Sequence, residues 1–120
     1  MKKSDRQKVF DKYGGRCAYC GEMLVKGWHV DEIEPVRRNG DGTCLHPERF
    51  HVDNQNPACA SCNINKHSGS LEDFRRLIQG FMKHLNEVST QYKIAKRYGL
   101  VRENIKPVVF YFETLNTPTP

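Results

Sequence analysis

The stretch Cys59-Ala-Ser-Cys62-Asn-Ile-Asn-Lys66 organises this chain of 120 residues, because its two cysteines match an earlier pair, Cys17 and Cys20. In each Cys-x-x-Cys pair both sulfurs can turn toward one tetrahedral ion, and two such pairs are a usual ligand set of structural zinc sites. The spacing therefore predicts that these four cysteines hold one Zn²⁺. The fifth cysteine, Cys44, is expected to be a spare thiol.

Length and composition predict one modest domain. A chain of 120 residues with 38% hydrophobic residues lies near the commonest domain size, and a metal cross-link helps where the core is small. We expect a single domain over residues 1–115 and a disordered polar tail over 116–120. No apolar run approaches a membrane span and the N-terminus lacks an apolar leader, so we expect a cytoplasmic protein with no membrane contact.

The net charge of +5 favours a polyanionic partner, since Lys and Arg near phosphates release condensed counterions on binding. Charge by itself does not identify the partner, because many basic proteins of this size bind no nucleic acid.

Local signals predict helices at both ends of the chain. Ser4 is expected to cap a helix reaching Tyr13, which Gly14 and Gly15 end. A short helix is expected over 63–67. Ser70 should cap a long helix whose apolar stripe faces the core; its members are Leu71, Phe74, Leu77, Ile78, Phe81 and Leu85. Ser89 should cap a last helix that Gly99 ends.

Three segments are predicted to form strands. Residues 28–36 alternate, with Trp28, Val30 and Glu32 on one face and with His29, Asp31 and Ile33 on the other. Residues 50–57 are expected to return as a second strand after a flexible surface loop over 37–47. The apolar run 107–112 is expected to form a third strand.

Together, three quoted segments resemble the HNH endonuclease family, in particular its zinc-ribbon-containing branch of phages and prophages. They are Cys17-Ala-Tyr-Cys20, Val30-Asp31-Glu32-Ile33-Glu34-Pro35, and the run from Asp53-Asn54 through Asn63 to Lys66. The resemblance implies an α+β fold with a ββα-metal (His-Me finger) core, a four-cysteine structural zinc site and flanking helices. It also implies a metal-dependent DNA endonuclease or nickase, encoded by a phage or mobile element and acting in the bacterial cytoplasm.

The resemblance also implies roles for individual residues. Asp31 and Asn63 match the ligands of a catalytic Mg²⁺ or Mn²⁺ ion, which would stabilise charge on the departing 3′ oxygen. Asn54 matches the asparagine that braces the hairpin loop. Lys66 is expected to contact a phosphate. Two further nucleic-acid-binding candidates lie at the base of the predicted loop, Arg37 and Arg38.

The catalytic base is where this chain departs from the family, whose first histidine falls at the position of Glu32. Histidine suits the task because it titrates near working pH, whereas an unperturbed glutamate titrates near pH ~4.3. Three replacements stay open. Glu32 itself could be made more basic by like charge from Asp31. His29 could supply an imidazole from the same strand face as Asp31. Alternatively, His51 or His67 could reach the site.

Two functions therefore stay open, an active nuclease and a catalytically inactive binding protein on the same scaffold. The Glu32 substitution favours the second, for example a phage inhibitor of a bacterial defence complex of the CRISPR type. A zinc-stapled regulatory DNA-binding domain is a third interpretation. The acidic Asp31–Glu32 pair argues against it, since a phosphate-facing strand without a metal should avoid carboxylates.

Overall fold

The computed structural model describes residues 2–34, 40–43 and 51–115. Within these ranges the chain is mixed α+β, with a small antiparallel sheet and surrounding helices. In chain order the elements are α1 (Lys3–Asp11), β1 (His29–Glu32), a 3₁₀ turn (Val52–Asn54), β2 (Gln55–Ala58), α2 (Ala60–Lys66), α3 (Leu71–Gln79), α4 (Phe81–Val88), α5 (Thr90–Arg97) and α6 (Tyr111–Thr114). No helix in these ranges is long and apolar enough to cross a membrane.

Several predictions concern residues outside the described ranges. They are the spare thiol Cys44, the DNA-contact candidates Arg37 and Arg38, most of the loop over 37–47, and the tail over 116–120.

The two strands are shorter than the sequence predicted. β1 ends at Glu32, and the 3₁₀ turn takes the place of the first part of the predicted second strand. The strands pair antiparallel, with Asp31 opposite Asn56. All four residues of β2 are buried, and the Pro57 carbonyl accepts a hydrogen bond of 2.8 Å from the Ala18 N–H. The sheet is thereby joined to the first cysteine pair.

Helix ends mostly follow the local signals. Ser70 caps α3 in a capping box with Asp73, and Ser89 caps α5, as predicted. Gly99 follows α5 with φ +75°, a left-handed conformation that glycine adopts without strain. The prediction that Ser4 caps α1 is wrong. The helix begins before it, because the Arg6 N–H already bonds the Lys2 carbonyl at 3.0 Å.

The predicted long helix is interrupted at Gly80, which separates α3 from α4. Glycine has a low helix propensity, and its N–H is shared between the carbonyls of Arg76 and Leu77. The break divides the apolar stripe as well. Phe74 is buried, whereas Leu77 and Phe81 are exposed, so the prediction of one core-facing stripe holds only for part of α3.

The prediction of a strand over 107–112 is wrong. Residues 101–110 have no regular structure, and α6 follows. The backbone of this segment forms hydrogen bonds with the turn of the first cysteine pair and not with a strand. The N–H groups of Tyr111 and Phe112 donate to the carbonyls of Tyr19 and Ala18 at 3.0 and 2.9 Å. The apolar run is used for aromatic packing and not for a sheet ladder.

The core lies where this C-terminal segment meets α3 and the first cysteine pair. Its buried members are Cys17, Tyr19, Ala58, Phe74 and Phe110. The Tyr19 ring meets Phe74 and Phe110 edge-on with centroids 5.6 and 5.3 Å apart, and the two phenylalanine rings stack at 5.5 Å. Edge-on and offset aromatic pairs of this kind contribute about 0.5–1.5 kcal/mol each beyond area burial.

Candidate functional site

The four paired cysteines form the cluster that their spacing predicted. Their sulfur atoms lie within 4.8 Å of one another. The sulfurs of Cys20 and Cys59 are 3.9 Å apart, close to the ~3.8 Å edge of a tetrahedron with metal–sulfur bonds of about 2.3 Å. The cluster could therefore hold a metal ion such as zinc.

Different local structures position the two cysteine pairs. The first pair lies in a tight turn, in which the Cys17 N–H bonds the Glu22 carbonyl at 2.8 Å and Gly21 adopts φ +78°. The second pair begins α2. Cys59 is its N-cap, and the Cys59 sulfur accepts the Cys62 N–H at 3.4 Å. Backbone donors at a helix start favour a thiolate over a thiol.

The closely spaced sulfurs shift the pKa values of one another. A hydrogen bond from Cys62 lowers the pKa of Cys17 to about 4, and the same contact raises the pKa of Cys62. Burial raises the pKa of Cys20 to about 11. Without a metal ion the four sulfurs compete for protons, whereas a divalent ion would stabilise the thiolate form of all four.

A second polar site lies between β1 and α2, and we call it the strand–helix site. It consists of two side chains from each element, His29 and Asp31 from β1 and Asn63 and Lys66 from α2. The strand residues are two positions apart and so point to the same face, and the helix residues are one turn apart. The site therefore contains two contacts side by side, Asp31 with Lys66 and His29 with Asn63.

Asp31 and Lys66 form a buried ion pair. The Lys66 ammonium is 3.2 Å from Asp31 Oδ2, with side-chain exposures of 0% and 5%. The Tyr19 hydroxyl donates to the same oxygen. Burial raises the pKa of Asp31, while the hydrogen bond from Tyr19 and the charge of Lys66 act in the opposite direction. The contacts with Tyr19 and Lys66 thus offset part of the cost of burying this carboxylate.

Two backbone carbonyls complete the surroundings of the Lys66 ammonium, those of Gly69 at 2.9 Å and Glu32 at 3.2 Å. The predicted phosphate contact of Lys66 does not fit this placement, because the side chain is fully enclosed. A lysine near the end of a short helix is expected at the surface. Here the carboxylate of β1 makes its burial possible.

His29 and Asn63 form the second contact of the site. The Asn63 side-chain amide nitrogen lies 2.8 Å from His29 Nδ1, and both residues are half-buried. An amide N–H that donates to Nδ1 leaves the Asn63 oxygen directed elsewhere. The site therefore combines a carboxylate, an imidazole and an amide on facing surfaces.

Asn54 connects the end of β1 to the segment that enters β2. Its side chain accepts a hydrogen bond from the Glu34 N–H at 2.8 Å and donates one to the Glu34 carbonyl at 2.9 Å. Its own carbonyl accepts the Ile33 N–H at 2.8 Å. These three bonds fix the backbone just after β1, where the resemblance implied a bracing asparagine.

The remaining candidates for a base lie apart from the strand–helix site. Glu32 follows Asp31 on β1, so its side chain leaves the opposite face of the strand. His51 is exposed and lies 4.0 Å from Asp53. His67 is exposed as well, and its Nδ1 contacts the Ser68 hydroxyl at 3.1 Å.

Tyr19 is the residue of this region that the sequence reasoning missed. It lies between Cys17 and Cys20, and its hydroxyl reaches Asp31 while its ring belongs to the core. Burial, followed by the nearby Asp31 charge, raises the pKa of Tyr19, so the hydroxyl remains a donor. The sequence signal for Tyr19 was its position between Cys17 and Cys20, since a metal bound by these cysteines fixes the turn that carries the tyrosine.

Fold and site thus define a class: a mixed α+β chain with a four-cysteine cluster, which could hold an ion such as zinc, next to a polar strand–helix site. Comparison with protein-family models finds no match, and comparisons with curated proteins and with solved structures find none either. The support for a function comes from the residues and their geometry.

Proposed function

We propose that this chain is a metal-dependent HNH-type DNA endonuclease or nickase, which hydrolyses phosphodiester bonds and is encoded by a phage or another mobile element. The observation that supports this activity is the strand–helix site itself. Buried ion pairs are weak sources of stability compared with apolar packing, so a polar surface between β1 and α2 needs another explanation. A carboxylate beside an amide is suitable ligand chemistry for a hard divalent ion.

Asp31 and Asn63 are the residues that would hold Mg²⁺ or Mn²⁺. Tyr19 and Lys66 engage Asp31 Oδ2, whereas the hydrogen bond from Lys66 to Oδ1 is 3.5 Å long, at the limit of such a bond. Oδ1 therefore retains capacity for an ion, and Lys66 keeps two carbonyl acceptors if the carboxylate turns. When bound, the ion would supply charge stabilisation at the scissile phosphate.

His29 is the general base that the geometry favours over Glu32. It shares a face of β1 with Asp31, and its Nδ1 accepts the Asn63 amide at 2.8 Å. With Nδ1 accepting from Asn63, Nε2 carries the ring proton, so His29 would take a proton from an attacking water at Nδ1 once the Asn63 amide turns away to bind the ion.

A plasmid-nicking assay with the zinc-loaded chain, first in Mg²⁺ and then in Mn²⁺, tests this function. We expect nicking by the native chain and a loss of at least about 100-fold in His29→Ala, the usual effect of removing a general base. Asn63→Ala and Asp31→Asn should also abolish it. His51→Ala is the matched control, since this histidine is exposed and outside the site, and it should nick like the native chain.

Failure to cut plasmid, single-stranded or branched DNA in Mg²⁺, Mn²⁺ or Ni²⁺ would contradict the nuclease. A catalytically inactive HNH-scaffold binding protein, such as a phage inhibitor of a CRISPR-type defence complex, is then the second candidate. The observation that favours it is the Asp31–Lys66 ion pair, because an ammonium already neutralises the carboxylate.

A further inference from the structure

A wide groove separates α3 and α4 from the irregular segment that follows α5. Its volume is about 970 Å³, which is at the upper end of the range for ligand pockets. The lining is mainly apolar and mostly aliphatic; its central members are Ile78, Phe81, Met82, Ile105, Pro107 and Val109. The groove is distinct from the cysteine cluster and from the strand–helix site, which share none of these residues.

The helices next to this groove have no core of their own. Neither α4 nor α5 contains a buried residue, and large apolar side chains are exposed along this part of the chain. Ile105 is 86% exposed, Leu100 80% and Val109 58%. An amphipathic helix normally buries its apolar face, so this surface is suited to a partner.

The same region accounts for most of the net positive charge of the chain. Residues 80–109 contain six basic and two acidic side chains, a net charge of +4 within the +5 of the whole chain. They are Lys83, Lys93, Lys96, Arg97, Arg102 and Lys106, with Glu87 and Glu103. Lys83 and Lys106 line the groove together with Glu103, and a basic pocket formed by Lys93, Lys96 and Arg97 adjoins it at Asn86. Lys96 is 2.6 Å from Glu103 and Lys83 is 3.8 Å from Glu87, so the net excess of positive charge is what a partner would meet.

We propose that this groove binds an acidic amphipathic helical segment of another protein. Such a helix would place its apolar side chains against the aliphatic lining and its carboxylates against the basic rim. The proposal stands independently of the nuclease activity, because none of its residues belongs to the strand–helix site.

The charge and the lining of the groove disfavour two other occupants, a second copy of this chain and single-stranded nucleic acid. A second copy of this chain in a two-fold dimer would bring the same basic surface against itself, which like-charge repulsion opposes. Single-stranded nucleic acid is usually bound by aromatic platforms on which bases stack, whereas this lining is mostly aliphatic. An acidic polypeptide complements both the charge and the apolar surface.

Selection of random peptides of about 16 residues, long enough for four helical turns, on the full zinc-loaded chain tests the proposal. We expect enriched peptides with apolar residues at i, i+3 or i+4, and i+7, and with an excess of Asp and Glu. Fluorescence anisotropy of the best peptide then compares four chains: native, Ile105→Glu, the Lys83→Glu/Lys106→Glu double variant, and the control Val25→Glu.

Ile105→Glu and the double lysine variant should each weaken binding about tenfold or more, the effect of losing a central interface contact. Ile105 is already exposed, so this variant should remain folded. Val25 is also exposed, at 75%, but does not line the groove, and Val25→Glu should bind like the native chain. Peptides without acidic residues, or affinity unchanged in Ile105→Glu, would overturn the proposal.

Two further measurements test whether the groove binds a second copy of the chain or nucleic acid. A dimer in sedimentation velocity that dissociates in Ile105→Glu would assign the groove to a second copy of the chain. Binding of single-stranded or duplex DNA that Ile105→Glu weakens as strongly as it weakens the peptide would assign it to nucleic acid. Either result would overturn the proposal, whereas a native chain that stays monomeric and binds DNA equally well in Ile105→Glu supports it.

Discussion

Replacing Lys66 with methionine tests the strand–helix site most directly. Methionine keeps the length of the lysine side chain but removes the ammonium that is 3.2 Å from Asp31. Among the described residues, the Tyr19 hydroxyl would then be the one remaining side-chain donor to the buried carboxylate. A bound divalent ion would restore the missing positive charge, so the stability of Lys66→Met should depend on metal more strongly than the stability of the native chain does.

The expected magnitude follows from the burial of the pair. Removing one partner of a buried ion pair costs about 3–5 kcal/mol of unfolding free energy. We expect the lower end, about 3 kcal/mol, since burial already raises the pKa of Asp31 and helps it to take up a proton. At a concentration 100 times its Kd, Mn²⁺ should return about 2.7 kcal/mol. In the native chain the gain should be smaller, because the ion competes with the ammonium.

Urea unfolding followed by circular dichroism, with zinc present and with or without Mn²⁺, measures these changes. The matched control is Lys83→Met, since Lys83 is 82% exposed and its loss should cost less than about 0.5 kcal/mol. A Lys66→Met chain as stable as the native one would refute the importance of the ion pair. Equal stabilisation of all three chains by Mn²⁺ would refute an ion at this site, and loss without recovery would indicate a purely structural pair.

Two further predictions concern other parts of the fold. Cys59→Ser should unfold or aggregate the chain, because metal binding and folding are one equilibrium in small zinc domains. A soluble Cys59→Ser variant with unchanged circular dichroism and zinc content would contradict this prediction. The control variant Cys44→Ser should be tolerated. Glu113→Gln should cost about 1–2 kcal/mol near neutral pH, since Glu113 bonds Arg75 at 2.8 Å. Arg75 holds the pKa of Glu113 below its usual value of 4.5, so the stability from this pair is full above pH 4.5 and is lost as the pH falls through the folded-state pKa. The difference between Glu113→Gln and the native chain in urea unfolding should therefore shrink in acid, and a difference that stays constant would show that the charge of Glu113 is not its cause.

Features with a local cause were predictable from the sequence. The Cys-x-x-Cys spacing indicated the cluster, because two residues between the sulfurs are enough to turn both inward. Ser70 and Ser89 marked helix starts, since their hydroxyls accept backbone N–H groups a few positions away. Gly99 marked a helix end for the similarly local reason that glycine adopts positive φ without strain.

Only the tertiary structure decided what the apolar and charged side chains meet. The run over 107–112 has the composition of a strand, but its backbone bonds the first cysteine pair and Phe110 joins the aromatic core. Nothing near Lys66 in the sequence indicates burial, since Asp31 lies 35 positions away. A charge can leave water only where the fold brings an opposite charge and further acceptors to it, and that condition is set by distant parts of the chain, not by the neighbouring residues.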